Sequence, residues 1–285
     1  MDHHYSKATF ATAGSVVELW DQERSEPIST YTWGADTINT LRFNHTEVSV
    51  FASSGTDRTV TLYDVRYDSP LAKLVLRMKT NAICWNPMEA FNFTVANEDH
   101  QLYTFDMRKM TSALNVYKDH VSAVLDVDYS PTGEELVTGS YDQTIRIFRT
   151  KEGRSRDIYH TKRMQHVFCV RWSMDAKYIV SGSDDGNLRL WKARASEKIQ
   201  DMDVRERAVV EYRQSLVQKF QHMPEIKRIS RHRHVPRFIK SVKAKHRLME
   251  ESEVRRKENR KKHSKASDDV QFKAERKKAV VSIEQ

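Results

Sequence analysis

Over the first two thirds of the chain, apolar residues recur in short alternating runs, the period-2 pattern of half-buried strands. VELWD (17–21), TLYDV (61–65), LYTFD (102–106), IRIFR (145–149) and LRLWK (188–192) are versions of one run. Their aromatic residues, Trp20, Tyr63, Phe105, Phe148 and Trp191, stand 43, 42, 43 and 43 positions apart. The fullest unit, VSAVLDVDYSP, ELVTGSYD, TIRIFRT and RDIYHT, predicts four strands within one such period, as in a β-propeller blade. Six residues before each of the last four aromatics stands an aspartate: Asp57, Asp99, Asp142 and Asp185. An aspartate there can fold back on backbone amides and cap the turn between two strands. Gly14 fills that slot in the first unit, which predicts a weaker turn.

After Lys192 the strand pattern stops and glycine is absent. In DVRERAVVEYRQSLVQKFQH, Val209, Tyr212, Leu216 and Phe220 form one stripe of an amphipathic helix, expected to pack on the propeller. Its polar face carries Glu206, Glu211 and Arg213 together, unlike a basic membrane-surface helix. Pro224 and Pro236 punctuate the next segment, and residues 237–263 read as a long charged helix, stable only along a partner or pinned by charge pairs. The chain thus divides into blades over residues 1–194 and a basic helical tail over 195–285.

Charge sharpens this division. From Lys192 onward 27 Lys and Arg face 14 Asp and Glu, a net +13, whereas the preceding residues hold the other 21 and 25, a net −4. Within residues 227–247 the bases Lys227, Arg228, Arg231, Arg233, Arg237, Lys240, Lys243, Lys245 and Arg247 have no acidic residue among them. Such a run repels itself unless a polyanion lies alongside, and phosphate is the obvious counter-charge, which favours RNA over other acidic partners. The histidines among these arginines are poor metal ligands, so no metal is expected. A second cluster, Arg255, Arg256, Lys257, Arg260, Lys261 and Lys262, has the composition of a nuclear localisation signal. The two cysteines, Cys84 and Cys169, form neither a disulfide framework nor a CxxC site. No apolar run approaches membrane-spanning length, and a soluble, intracellular protein without a membrane partner is expected. GxSxG, HExxH and GxxxxGK[ST] are all absent, and the paired acids sit in repeat turns, so a non-catalytic scaffold without a cofactor is expected.

The repeats resemble the WD-repeat family in degenerate form. Trp20-Asp21 is the one literal pair, replaced by Tyr63-Asp64, Phe105-Asp106, Phe148-Arg149 and Trp191-Lys192. Only the fourth unit offers the family's full buried set, His120, Thr138 and Asp142; His166 lies three positions too late and reads as an ordinary strand residue. The expected fold is an all-β WD-repeat propeller of about five blades, incomplete relative to seven, followed by a basic α-helical tail. The first unit begins at its second strand and the last lacks a fourth, which predicts an N-terminally shortened or diverged form in preference to a smaller ring that closes, with two unpaired sheet edges and poor solubility unless the termini meet.

SGSDDGNLRLWKARASEK (181–198), KFQHMPEIKRISRHRH (219–234) and ENRKKHSK (258–265) resemble more closely the WD and SOF domain-containing proteins, nucleolar factors of the small-subunit processome. The resemblance implies association with the U3 small nucleolar ribonucleoprotein, processome proteins and pre-rRNA during maturation of 18S rRNA, in the nucleus and nucleolus. HVPRFIKS and KASDDV depart from the family pattern. The same resemblance implies a second role as substrate receptor of a cullin-RING ubiquitin ligase, its adaptor bound through a WDxR pattern. Asp64 and Arg66, and Asp106 and Arg108, stand at the matching positions. On the residues alone, pairing of each arginine with a neighbouring acid is an equal reading.

Overall fold

The computed structural model describes residues 1–32, 37–198, 201–264 and 273–284, apart from the side chain of Arg231. The alternating runs become antiparallel sheets in chain order. Blade 1 comprises β1 (Asp2–His3), β2 (Thr9–Ala13), β3 (Val17–Asp21) and β4 (Ser29–Tyr31). Blade 2 contains β5 (Ile38–Phe43), β6 (Val50–Gly55), β7 (Thr59–Asp64) and β8 (Ala72–Leu76). Blade 3 contains β9 (Thr80–Trp85), β10 (Asn92–Asn97), β11 (Gln101–Asp106) and β12 (Asn115–Lys118). Blade 4 contains β13 (Val124–Tyr129), β14 (Glu135–Ser140), β15 (Ile145–Arg149) and β16 (Ser155–Tyr159), and blade 5 stops at three strands, β17 (Val167–Trp172), β18 (Tyr178–Ser183) and β19 (Leu188–Lys192). Innermost strands touch along the series, β5 on β9, β9 on β13 and β13 on β17, which makes the five-bladed arc.

Two strands lie outside the expected pattern. The two-residue β1 pairs with Ala11 and Phe10 and occupies the innermost place of blade 1, so that edge is not bare. At the other end of the chain, β20 (Val280–Glu284) leaves the tail and pairs with β8 as a fifth strand of blade 2. The tail therefore contains a strand as well as helices.

Inter-blade packing explains the density of aliphatic residues. Val137, Ile145 and Ile147 of blade 4 are fully buried against Val167, Val170 and Ile179 of blade 5. Gly139 leaves the notch in which a Val167 methyl sits, 2.8 Å from where a Cβ would stand. The same face recurs 43 residues later as Val180, Gly182, Leu188 and Leu190, but here Leu188 is 78% and Leu190 66% exposed.

The turn aspartates do what the repeat predicts. Asp57 accepts from the Thr59 amide at 3.1 Å, Asp99 from that of Gln101 at 3.1 Å and Asp142 from that of Thr144 at 3.0 Å. Each is followed by a left-handed residue, Arg58, His100 and Gln143 with φ of 66°, 62° and 62°, as Asp185 is by Gly186 at 72°. The carboxylate anchors a turn that a residue with a Cβ adopts only at some cost.

The tail forms α1 (Val204–Phe220), α2 (Pro224–Arg231), α3 (Arg237–His263) and α4 (Glu275–Lys278). Pro224 opens α2 and Pro236 precedes α3, where a missing N–H costs nothing. Among the described residues no helix is long and apolar enough to cross a membrane. The stripe on α1 departs from expectation. No residue of α1 is buried, and Val209 and Tyr212 are 47% and 65% exposed, so the stripe does not pack on the blades.

Candidate partner-binding faces

Strand direction sorts the candidate residues onto two opposite ends of the blades. Asp57 and Asp99 turn β6 into β7 and β10 into β11, whereas Arg66 and Arg108 follow the far ends of β7 and β11. Lys118 pairs in register with Gln101, so Asp119 and His120 emerge at the aspartate-turn end, beside His100. Helix α3 crosses that end, while residues 273–280 reach the loop after β11 at the arginine end of blade 3.

At the arginine end two blades repeat one geometry. Arg66 donates from Nε and Nη2 to the Asp64 carboxylate at 3.1 and 3.0 Å, and Arg108 does the same to Asp106 at 3.1 and 2.8 Å. Arg66 is further held by Ser49 Oγ at 3.1 Å, and the Arg108 guanidinium lies 4.2 Å above the Phe91 ring. The hydrogen bond from Arg108 holds the Asp106 carboxyl below its ordinary range. Each arginine thus pairs with the acid of its own motif while its side chain stays 70% or 63% exposed. Pairing fixes the fork in place and leaves its outer N–H groups for a partner.

Blade 4 contains the buried polar set. His120 donates from Nδ1 to Asp142 Oδ2 at 2.9 Å, which leaves Nε2 to accept from the Thr138 hydroxyl at 2.7 Å. Asp142 also accepts from the Thr144 hydroxyl at 2.5 Å. Burial would raise the Asp142 carboxyl, but His120 and Arg146 outweigh it and hold the group at about 2. For His120 burial dominates, and the imidazole is pushed below its ordinary value. In blades 1 and 5 the ring is tryptophan, and it donates to a strand hydroxyl instead, Trp20 to Thr12 and Trp191 to Ser181, both at 2.9 Å. His166 stands outside any such set; it precedes β17 and donates from Nδ1 to the Tyr141 carbonyl at 2.8 Å.

The basic tract is not a uniform free run. Arg233 donates to Asp157 Oδ1 and to the Arg156 carbonyl on β16, at 2.8 and 3.1 Å. Ile239, 1% exposed, plugs α3 onto the blades, and one turn later Lys243 donates to Asp119 Oδ1 at 2.6 Å. His246 lies 4.9 Å from the His100 ring, whose pKa is pushed down to about 4 by burial and by that neighbour. Beyond α3, Glu275 pairs with Lys118, the Ala113 amide donates to the Arg276 carbonyl at 2.9 Å, and β20 seals onto β8. The tail is therefore a strap running back from blade 4 across blade 3 to blade 2.

This corrects the expectation of unrelieved repulsion, because the acids missing from residues 227–247 are supplied by the propeller. Asp119 is 9% exposed; burial raises its carboxyl, but the Lys243 ammonium and the Ser155 amide more than offset this and hold it below its ordinary range. Arg233 and Lys243 are therefore docking residues, and Arg247 pairs with Glu251 at 2.8 Å along α3. Lys227 and Arg228 on α2, and Arg237, Lys240 and Lys245 on α3, remain exposed; the side chain of Arg231 lies outside the described residues. Arg255, Arg256, Arg260, Lys261 and Lys262 project from the last turns of α3, and half-buried Lys257 pairs with Glu253 at 3.6 Å. Asp119 and Asp157 were missed by sequence reasoning, although the net −4 of the blades against the net +13 of the tail carried the signal.

Comparison with known proteins agrees with this architecture. The description "Sof1-like domain" matches residues 193–280, and "WD domain, G-beta repeat" matches 111–149 and 158–192. "Protein SOF1" of Saccharomyces cerevisiae is 54% identical over 281 residues, covering 99% of this chain and 57% of the relative. The chain carries a Sof1-like domain behind WD repeats. "DDB1- and CUL4-associated factor 13" of Xenopus laevis and of Homo sapiens are 55% and 54% identical over 283 residues, covering 99% of this chain and 63% of each relative. The chain thus spans 57–63% of the length of these Sof1-like relatives. The strap coincides with the Sof1-like match, which ends at Val280, the first residue of β20.

Proposed function

We propose that this protein is a non-catalytic scaffold of ribosome biogenesis, placed in the small-subunit processome of the nucleolus, where it docks proteins on the blades and pre-rRNA on the outward face of the strap. The carrying observation is the strap, an exposed row of bases on α2 and α3 anchored by Arg233, Ile239 and Lys243. Pre-ordering removes part of the entropic cost an arginine-rich segment otherwise meets on binding RNA. The similarity to Protein SOF1 supports it. Crosslinking followed by RNA sequencing tests it: U3 and pre-rRNA are expected, and recovery of neither refutes the reading.

A second reading has its own observation. The matched forks of Arg66 and Arg108, each 63% exposed or more, stand at the end of the blades opposite Asp119, to which α3 docks. The names of the vertebrate relatives, associated with DDB1 and CUL4, favour an adaptor of that class. Replacing both arginines with Ala is expected to remove the adaptor from a co-purification and leave RNA association intact; unchanged adaptor binding returns them to a purely structural role.

A further inference from the structure

Docking of the strap creates a cleft of about 790 Å³ between α3 and the aspartate-turn end of blades 3 and 4. Lys240, Lys243 and Arg247 enter it from one face of α3, at spacing i, i+3, i+7. Lys118 and Arg154 enter from the blades and Arg276 from α4. Three carboxylates, Asp119, Glu250 and Glu275, line it too. Two of those acids are already engaged, Asp119 by Lys243 and Glu275 by Lys118. Among the described residues, Lys240 and Arg276 make no ion pair, and Arg154 reaches Asp119 only at 3.8 Å with its side chain 83% exposed. Cations from three separate segments are therefore gathered in a concave space of ligand size with too few acids to balance them.

We propose that this cleft binds a compact cluster of phosphates, which joins the strap to the blades. Several phosphate groups would bring Lys240, Arg154 and Arg276 the counter-charge the protein does not supply, by charge-assisted hydrogen bonds. Ammonium and guanidinium groups without an acid of comparable number suit phosphate better than a single carboxylate. The ligand touches both sides of the seam, so binding and docking reinforce one another. The source is either a soluble polyphosphate or the backbone of an RNA. The site shares Lys240 with the RNA reading but does not depend on Lys227 and Arg228 of α2, on which that reading also draws.

The test uses the full chain and two probes, inositol hexakisphosphate and a single-stranded RNA decamer, titrated by calorimetry and by fluorescence anisotropy. Lys240→Glu with Arg276→Glu is expected to weaken hexakisphosphate binding about tenfold or more. Lys227→Glu with Arg228→Glu, on α2 outside the cleft, leaves it unchanged. The milder pair Lys240→Gln and Arg276→Gln weakens it less, and guards against a reversal that undocks the strap. Competition between RNA and hexakisphosphate assigns the phosphates to nucleic acid, and binding of both without competition assigns them to a soluble ligand. No hexakisphosphate binding, or equal loss in the cleft and α2 variants, overturns the proposal. Loss of RNA binding in the α2 variant alone concerns only the RNA reading.

Discussion

Lys243 donates to Asp119 at 2.6 Å across 124 positions of sequence, joining the tail to the loop between blades 3 and 4. Asp119 also accepts from the Ser155 amide and hydroxyl, both at 2.9 Å, so its carboxylate is fixed before the lysine arrives. Fixed acceptors lose little entropy on pairing, which separates this contact from an ordinary surface ion pair.

Charge reversal at either partner is therefore expected to release α3, and reversal at both to restore it. Lys243→Glu or Asp119→Lys lowers the docking free energy by about 1 kcal/mol or more, discounted for the half-exposed lysine. Limited proteolysis between α2 and α3 reads the result: faster cleavage in the single variants, recovery in the double. Equal cleavage in all three would show that the remaining contacts, Ile239 and Arg233 among them, hold the helix without this pair.

The buried set of blade 4 sets a pH dependence whose sign is given by two directions. Asp142 titrates at about 2 in the fold and near the ordinary 4 when unfolded, so its contribution of about 2 to 3 kcal/mol is complete above pH 4 and disappears between 4 and 2. His120 is also lowered, so the fold favours its neutral form and loses stability as pH falls below the ordinary histidine value of about 6.5. Melting temperature should drop from pH 7 to 5 and again below 4. His120→Gln should melt lower at pH 7 yet show a shallower fall between pH 7 and 5; an unchanged slope would mean that other histidines carry it.

Val280 is 8% exposed against the core of blade 2, and β20 hides the edge of β8. Val280→Asp places an unpaired carboxylate in that core and is expected to detach the strand at a cost of about 2 to 4 kcal/mol. Amide exchange at β8 should then accelerate while blade 4 keeps its protection. Protection of β8 equal to the parent would show that the ladder survives without this side chain.

The arc and its period were legible in the sequence because a propeller blade is a local unit, closed by turns whose aspartates repeat beside the strand aromatics. Residues 237–263 were legible as one helix because prolines and charge bounded them. The strap was not, since Asp119, Asp157 and β8 lie far from Lys243, Arg233 and Val280 in sequence, and no local pattern links them. The α1 stripe illustrates the converse: a clear apolar period on Val209, Tyr212, Leu216 and Phe220 announces a helix but not a surface for it to cover.

Leu188 and Leu190 stand where Ile145 and Ile147 are fully buried one blade earlier, yet are left open to solvent. Two leucines exposed beside Phe168 and Val180 make an apolar patch that promotes self-association. Leu188→Thr with Leu190→Thr keeps strand propensity and should raise the monodisperse fraction in light scattering without lowering the melting temperature. A lower melting temperature would mean that these leucines are packed in solution.

If the proposed RNA reading holds, the exposed bases predict how the strand would be held. Lys227, Arg228, Arg237 and Lys245 are exposed and offer charge without the paired side chains that read base edges, so on that reading they would grip phosphates. Affinity should fall steeply with salt, by a slope of about −0.7 per phosphate neutralised on a single strand. Replacing these four with Glu is expected to weaken all sequences alike while the strap stays docked, because Arg233, Ile239 and Lys243 are untouched. Including Arg233 would confound the measurement, since a glutamate there faces Asp157 and undocks the segment. Sequence-selective loss in the fourfold variant, or a salt slope near zero, would assign the row to a protein partner instead.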